Sequence, residues 1–248
     1  MTDDDSPQML EPRAAYARWA ASYPPCPHNP LMRVEERAVL SLLPADLRGC
    51  TVLDVGCGSG RYMLHALRRG AAQVLGADLS PEMLDRARAE LGGGQRAEAR
   101  CDMADAPHIA LIQASIEALP FRDRCADLTV CGLTIGHLPS LEPALAELER
   151  ITREDGRIVC SDFHPLQHER GARREFSVGG ERYAVRHTPH HVDDWRRACA
   201  AVGLRIVRVL EPLLDPKDIR GSVRFDLTAV KLPVVTVFEL SSASRAGR

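Results

Sequence analysis

Lysine is nearly missing from this chain: Lys217 and Lys231 stand against thirty arginines. With abundant alanine, that usage marks a GC-rich genome and leaves mechanism open. An excess of one charge is missing too, since 32 basic and 34 acidic residues nearly cancel. The chain therefore offers no electrostatic footprint for nucleic acid or a membrane surface. No run approaches the roughly 18 consecutive apolar residues of a membrane span. The start, M-T-D-D-D-S, lacks the apolar core of a secretory signal, so a cytoplasmic location is expected. Eight cysteines are present, but none are paired as C-x-x-C. Cys50, Cys57, Cys131 and Cys160 fall in or beside predicted strands, as small apolar core residues in a reducing compartment. H-E-x-x-H is missing as well, and no metal is expected.

The most informative stretch present is Val52–Gly60, V-L-D-V-G-C-G-S-G. Thr51, Val52, Leu53 and Val55 are β-branched or aliphatic, which predicts a buried strand. Gly56, Gly58 and Gly60 let the backbone turn sharply and bring a ligand against bare main chain. A helix is expected from Arg61 to Arg69, its first N–H groups aimed back at the loop. The spacing is G-x-G-x-G. It is neither the G-x-G-x-x-G of dinucleotide sites nor the G-x-x-x-x-G-K-[ST] of nucleotide hydrolases. Asp54 sits just before the first glycine. Its carboxylate would repel a pyrophosphate and attract an ammonium group. S-adenosylmethionine carries an ammonium and a sulfonium and no phosphate, so the loop is read as a site for it. A second strand, Gln73–Asp78, also ends in an acid, twenty-four positions after Asp54. That offset suits a ribose-binding carboxylate at the end of the second strand. Ser80 and Pro81 then open a helix as N-cap and first helical residue.

With these blocks on the page, the chain resembles the class I S-adenosylmethionine-dependent methyltransferases. It is most similar to the small-molecule branch that holds ubiquinone/menaquinone and malonyl-carrier methyltransferases. D-V-G-C-G-S-G, A-D-L-S-P-E-M-L, E-A-L-P-F and G-R-I-V-C-S-D-F occur in the family's order, and the likeness runs from Tyr16 to Gly203. It implies an α/β fold: a Rossmann-like, seven-stranded, mostly parallel sheet of order 3-2-1-4-5-7-6, with helices on both faces and a small cap. It implies S-adenosylmethionine as methyl donor and S-adenosylhomocysteine as product. It also implies cofactor contacts at Asp54, Gly56, Cys57, Gly58, Gly60, Asp78, Leu79, Met83, Ser115, Ile116, Glu117, Cys131 and Leu133. Ser115 stands where the family carries an aspartate that accepts from the adenine amino group; a hydroxyl can accept as well, without the charge. Tyr16, Trp19 and Tyr23 resemble the family's aromatic lid.

Residues 13–240 are expected to form one domain, with residues 1–12 and 241–248 disordered. A helix is expected over Arg13–Ala21 and another over Leu31–Leu43. Leu91–His108, with its G-G-G, is expected to be a flexible excursion or a ragged helix extension. Between Phe163 and His190, Phe176/Val178 and Tyr183/Val185 alternate around Gly179-Gly180, which predicts a hairpin. Open α/β sheets bind ligands above the carboxyl ends of their strands. The two segments 13–30 and 163–190 are therefore read as the cap over a small-molecule acceptor. Arg173, Arg174, Arg182 and Arg186 in that cap could meet an acidic acceptor or form a solvated hairpin face.

Methyl transfer from a sulfonium chiefly needs alignment. A base helps when the acceptor is a hydroxyl or protonated amine, and histidine suits neutral pH. Candidates above the sheet are His137, Asp162, His164, His168, His187, His190 and His191. His164 is the first choice as base, with His137 and Asp162 beside it. The expected activity is methylation of oxygen or nitrogen on a small molecule, in the setting of bacterial natural-product biosynthesis. A protein that binds the cofactor without transferring methyl is the alternative. A homodimer stays open.

Overall fold

The computed structural model describes residues 6–24, 26–98, 107–219 and 231–244. Seven strands form the main sheet: β2 (Thr51–Val55), β3 (Gln73–Asp78), β4 (His108–Gln113), β5 (Ala126–Gly132), β6 (Thr152–Phe163), β9 (Leu204–Leu210) and β10 (Val235–Ser242). Their order is β4-β3-β2-β5-β6-β10-β9. Numbered within this sheet alone, that is the expected 3-2-1-4-5-7-6. Only β10 runs antiparallel to its neighbours.

Strand side chains point alternately to the two faces, and two cores follow from that alternation. Val52, Val74, Val130, Val159 and Val237 pack into one core. It also takes residues of α2 (Pro30–Leu42), α3 (Arg61–Arg68) and α4 (Pro81–Glu98). Leu53, Ala77, Cys131, Ile158 and Phe238 pack into the other with α5 (Glu142–Ile151) and α7 (Val192–Ala201). The helix starts are written locally. The Asn29 side chain accepts from the Met32 N–H at 2.8 Å, with Pro30 first in α2. Ser80 Oγ accepts from the Met83 N–H at 3.3 Å.

Two expectations change, and two features are added. Residues Gln8–Leu10 form strand β1, although 1–12 reads as disordered; residues 1–5 lie outside the described part. β1 pairs parallel with β8 (Glu181–Val185), which pairs with β7 (Arg174–Val178). The hairpin leaves an open edge, and three residues suffice to cover part of it. At the other end β10 continues to Ser242, paired with Leu204; residues 245–248 are not described. β6 begins as early as Thr152, because a register shift in β5 lets Thr152 pair with Ala126. A short helix α6 (Pro165–Glu169) follows β6, beyond what the sequence predicts. The glycine run around Gly92 continues α4 as far as Glu98, and residues 99–106 are outside the described residues.

The two cap segments meet. The helix α1 (Pro12–Trp19) carries Trp19, which stacks on Phe176 of β7 at 4.7 Å between ring centroids and 6° between planes. Phe176 stacks in turn on Tyr183 of β8. Among the described residues, no helix is long and apolar enough to cross a membrane.

Candidate active site

The glycine loop is tied to the sheet from its first residues. The Gly56 and Cys57 N–H groups both donate to the Ala77 carbonyl, at 2.7 and 3.0 Å. Gly56 has φ +69°, and a Cβ there would lie 2.3 Å from Thr134 Oγ1. Glycine is required twice over, by backbone sign and by space. Asp78 closes the far side: its carboxylate accepts from the Gly58 N–H at 2.8 Å and the Ser80 N–H at 2.9 Å.

Asp54 is the group that defines the site electrostatically. It is 2% exposed, and its Oδ2 has no hydrogen-bond partner. Burial raises its pKa to about 7, against the pull of the Arg61 guanidinium. Burial also pushes Asp78 up, opposed by the N–H groups it accepts from. Two acids flanking a glycine cradle disfavour a phosphate. An orphaned carboxyl calls for a donor, and an ammonium group supplies charge and donors together. The residues present therefore fit S-adenosylmethionine.

These groups line a cavity of about 360 Å³. Of the expected cofactor residues, Asp54, Gly56, Cys57, Gly58, Asp78, Leu79, Met83, Ser115, Ile116, Glu117 and Leu133 line it, with Tyr16 and Tyr23 of the lid. Three do not. Gly60 lies at the start of α3, where φ +81° turns the chain into the helix. Cys131 is buried under the sheet opposite Cys160. Trp19 faces a neighbouring chamber instead. Thr134, Arg61 and Tyr62 line the main cavity unanticipated. Arg61 is held by Glu35, itself fully buried, at 2.8 Å. Its position directly after the last glycine was the available signal.

His137 does not stand free. Its Nδ1 lies 3.1 Å from the Arg186 carbonyl and must donate to it. Its Nε2 therefore accepts from the Tyr16 hydroxyl, at 3.0 Å. Burial lowers its pKa to about 3, so the ring is neutral with its lone pair engaged. That makes a weak base and a good latch, joining α1 to the chain leaving β8. Replacing the latch by His137→Phe removes both bonds and keeps the ring packing. We expect about tenfold weaker S-adenosylhomocysteine binding by calorimetry, since two net hydrogen bonds amount to roughly 1–3 kcal/mol and only part acts on the lid.

A second chamber of about 260 Å³ shares Met32, Leu133 and Arg174 with the first. Asp162 and His187 stand in its wall. Asp162 Oδ1 accepts from His187 Nε2 at 2.9 Å and from the Phe163 N–H at 2.7 Å. His187 Nδ1, on the other side of the ring, has no partner. Gly136 makes room for the pair: a Cβ there would fall 2.2 Å from His187 Nε2. His164, the expected base, lies elsewhere. Its Nδ1 accepts from the Leu166 N–H at 3.3 Å, and Nε2 donates to Glu211 at 2.9 Å. It caps α6 and lines neither chamber. His190 donates to the Leu138 carbonyl, and His191 caps α7.

A sheet in this order, with an acid-flanked glycine loop at the switch point, defines the cofactor-binding α/β proteins that take an adenosyl methyl donor. The chain carries a methyltransferase domain of the class I S-adenosylmethionine-dependent type. The family model for a methyltransferase domain matches residues 53–160. A 2-phytyl-1,4-naphtoquinone methyltransferase from Trichormus variabilis is 33% identical over 118 residues, covering 47% of this chain and 48% of that protein. A malonyl-[acyl-carrier protein] O-methyltransferase from Pectobacterium atrosepticum is 31% identical over 186 residues, covering 75% and 66%. The matches thus span from about half to just under two thirds of these curated relatives. A solved S-adenosylmethionine-dependent methyltransferase from Mesorhizobium loti superposes with a TM-score of 0.64, at 21% identity, over 84% of this chain and 97% of that one.

Proposed function

We propose that the protein transfers a methyl group to an oxygen or nitrogen of a small molecule. The observation that carries this is the pair of adjacent chambers. One is built of Asp54, Asp78 and the glycine loop; the other shares Met32, Leu133 and Arg174 with it and has in its wall a histidine with an unpartnered nitrogen. S-adenosylmethionine, when bound, supplies the activated methyl. Asp54 holds the ammonium end, Asp78 the ribose, and Ser115 and the Ile116 N–H the adenine. Tyr16 and Tyr23 cover the site and keep water out.

His187 serves as the proton acceptor for the attacking group, its Nδ1 lone pair open because Nε2–H is committed to Asp162. Asp162 fixes the tautomer and the orientation of the ring. His137 positions the lid and takes no proton. His164 acts as a structural cap. The names of the relatives, one acting on a naphthoquinone and one on a malonyl carrier, support a non-nucleic-acid acceptor. They do not choose between oxygen and nitrogen.

The test is an acceptor panel of phenols, hydroxy acids and amines, read as S-adenosylhomocysteine released. Turnover of at least one acceptor is expected. On that acceptor, His187→Asn should lower kcat by about 10²–10⁴-fold, the usual range for a lost general base, with KM changed less. Gly136→Ala should act in the same direction by pushing the pair apart. No product from any acceptor, with cofactor bound and intact, would favour a binding protein of this fold.

A further inference from the structure

The four cap arginines separate sharply in the structure. Arg182 pairs with Glu175 at 2.9 Å, and Arg186 pairs with Glu11 on the surface. Arg173 is exposed and donates to the His168 and Ala172 carbonyls. Arg174 is different. It shares the inward face of β7 with Phe176 and lines both chambers. Its Nη1 donates to the Leu133 carbonyl at 3.3 Å and its Nη2 to the Tyr23 hydroxyl at 3.2 Å. The guanidinium carbon lies 5.5 Å from the centre of the Tyr16 ring and 5.9 Å from that of Trp19. Among the described residues, no carboxylate makes an ion pair with it. Asp162, in the same chamber, is spent on His187 and the Phe163 N–H.

We propose that Arg174 selects the acceptor: the second chamber takes a small molecule that carries a carboxylate. This rests on the methyl-transfer function proposed above and names its substrate class. Two rings and two neutral oxygens compensate a largely buried guanidinium only in part, because a buried charge needs an opposite charge. A guanidinium also has more N–H donors than these two bonds use, arranged as a fork that matches a carboxylate. The methyl donor adds a positive sulfonium in the adjoining chamber. An anion entering between the sulfonium and Arg174 satisfies both cations at once, and a neutral acceptor satisfies neither. The cofactor's own carboxylate has another donor. Arg61, on the glycine-loop side, keeps a buried Nη1 without a hydrogen bond, 3.7 Å from Glu36. Arg174 is thereby left for the acceptor.

The experiment titrates the protein, saturated with S-adenosylhomocysteine, with benzoate, 4-hydroxybenzoate and hexanoate, and with the primary amide of each. Wild type should bind at least one acid about tenfold or more tightly than its amide, as expected for a charge-assisted bidentate contact. Arg174→Met keeps a long apolar stem against Tyr16 and Trp19 and should erase the preference. Arg174→Lys should retain part of it, because the charge stays while the fork is lost. S-adenosylhomocysteine affinity, measured first on each variant, should stay within about threefold and reports that the variant is folded. Three results would overturn the proposal. The first is wild type binding acids and amides alike, or none of them, with cofactor binding intact. The second is Arg174→Met keeping the full preference for acids. The third is S-adenosylhomocysteine affinity falling as steeply as acid affinity in Arg174→Met, which would assign Arg174 to the cofactor's carboxylate. Failure of wild type to bind S-adenosylhomocysteine at all would overturn the function itself, a separate outcome.

Discussion

Asp54→Asn should stabilise the empty protein at pH 8 and weaken its cofactor binding about 100-fold. The two effects come from one carboxyl. Burial raises the pKa of Asp54 to about 7, above its ordinary value of 3.8. Between those values the unfolded chain has lost the proton while the folded one keeps it. Stability therefore falls as pH rises from about 4 to 7, and the full penalty persists above. At about 1.4 kcal/mol per unit the upper bound is on the order of 4 kcal/mol. The asparagine amide finds no acceptor where Oδ2 now stands alone. The net gain is then about 1–3 kcal/mol at pH 8, vanishing toward pH 4. Thermal melts at both pH values check it. Binding should move the opposite way. If Asp54 holds the cofactor's ammonium group as proposed, its loss removes a charge-assisted contact, and S-adenosylhomocysteine affinity should drop by about 100-fold, some 3 kcal/mol. A mutant that both melts lower at pH 8 and binds normally would refute the assignment of Asp54.

Gly56→Ala should be among the most damaging single methyl additions in the chain. An alanine at φ +69° costs about 1–2 kcal/mol from backbone sterics. Its Cβ would also sit 2.3 Å from both Thr134 Oγ1 and Thr134 Cγ2. Overpacking of that kind adds about 1–3 kcal/mol. The sum, about 2–5 kcal/mol, is a large part of an ordinary domain's stability of about 5–15 kcal/mol. Thr134 is not free to leave, since its hydroxyl donates to the Gly132 carbonyl at 3.1 Å and the Gly56 carbonyl at 3.3 Å. Thr134→Gly in the Gly56→Ala background should recover the packing part of the loss and none of the backbone part. Urea melts of the single and double variants measure both. Equal stability of Gly56→Ala and wild type would mean that the loop is not held as described.

The donor side of the site was legible because its constraints are local. A strand ending in Asp54, glycines at alternate positions and Asp78 at the next strand end each impose their geometry on one or two residues. The sheet order followed from the family resemblance that these blocks carry. The acceptor side depends on pairs far apart in the chain. Asp162 and His187 meet across twenty-five positions, at the end of β6 and after β8, and no spacing rule joins them. His137 likewise reads as a candidate base until Tyr16 and the Arg186 carbonyl occupy both nitrogens. Two signals were present and carry the lesson. His164 precedes Pro165, the pattern of an N-cap and a first helical proline. Arg174 lies two residues before Phe176, so a strand's two-residue period puts it on the buried face, apart from Arg173 and Glu175. Strand β1 had no such signal. Its three residues are ordered by the open edge of a hairpin far along the chain.

The central claim is that the acid-flanked glycine loop holds S-adenosylmethionine rather than a nucleotide phosphate. Isothermal titration of the wild-type protein with S-adenosylhomocysteine, with NAD and ATP in parallel, tests it most directly. Saturable one-to-one binding of S-adenosylhomocysteine is predicted, with no measurable heat from NAD or ATP at the same concentrations. Tighter binding of either phosphate ligand, or none of S-adenosylhomocysteine, would contradict it.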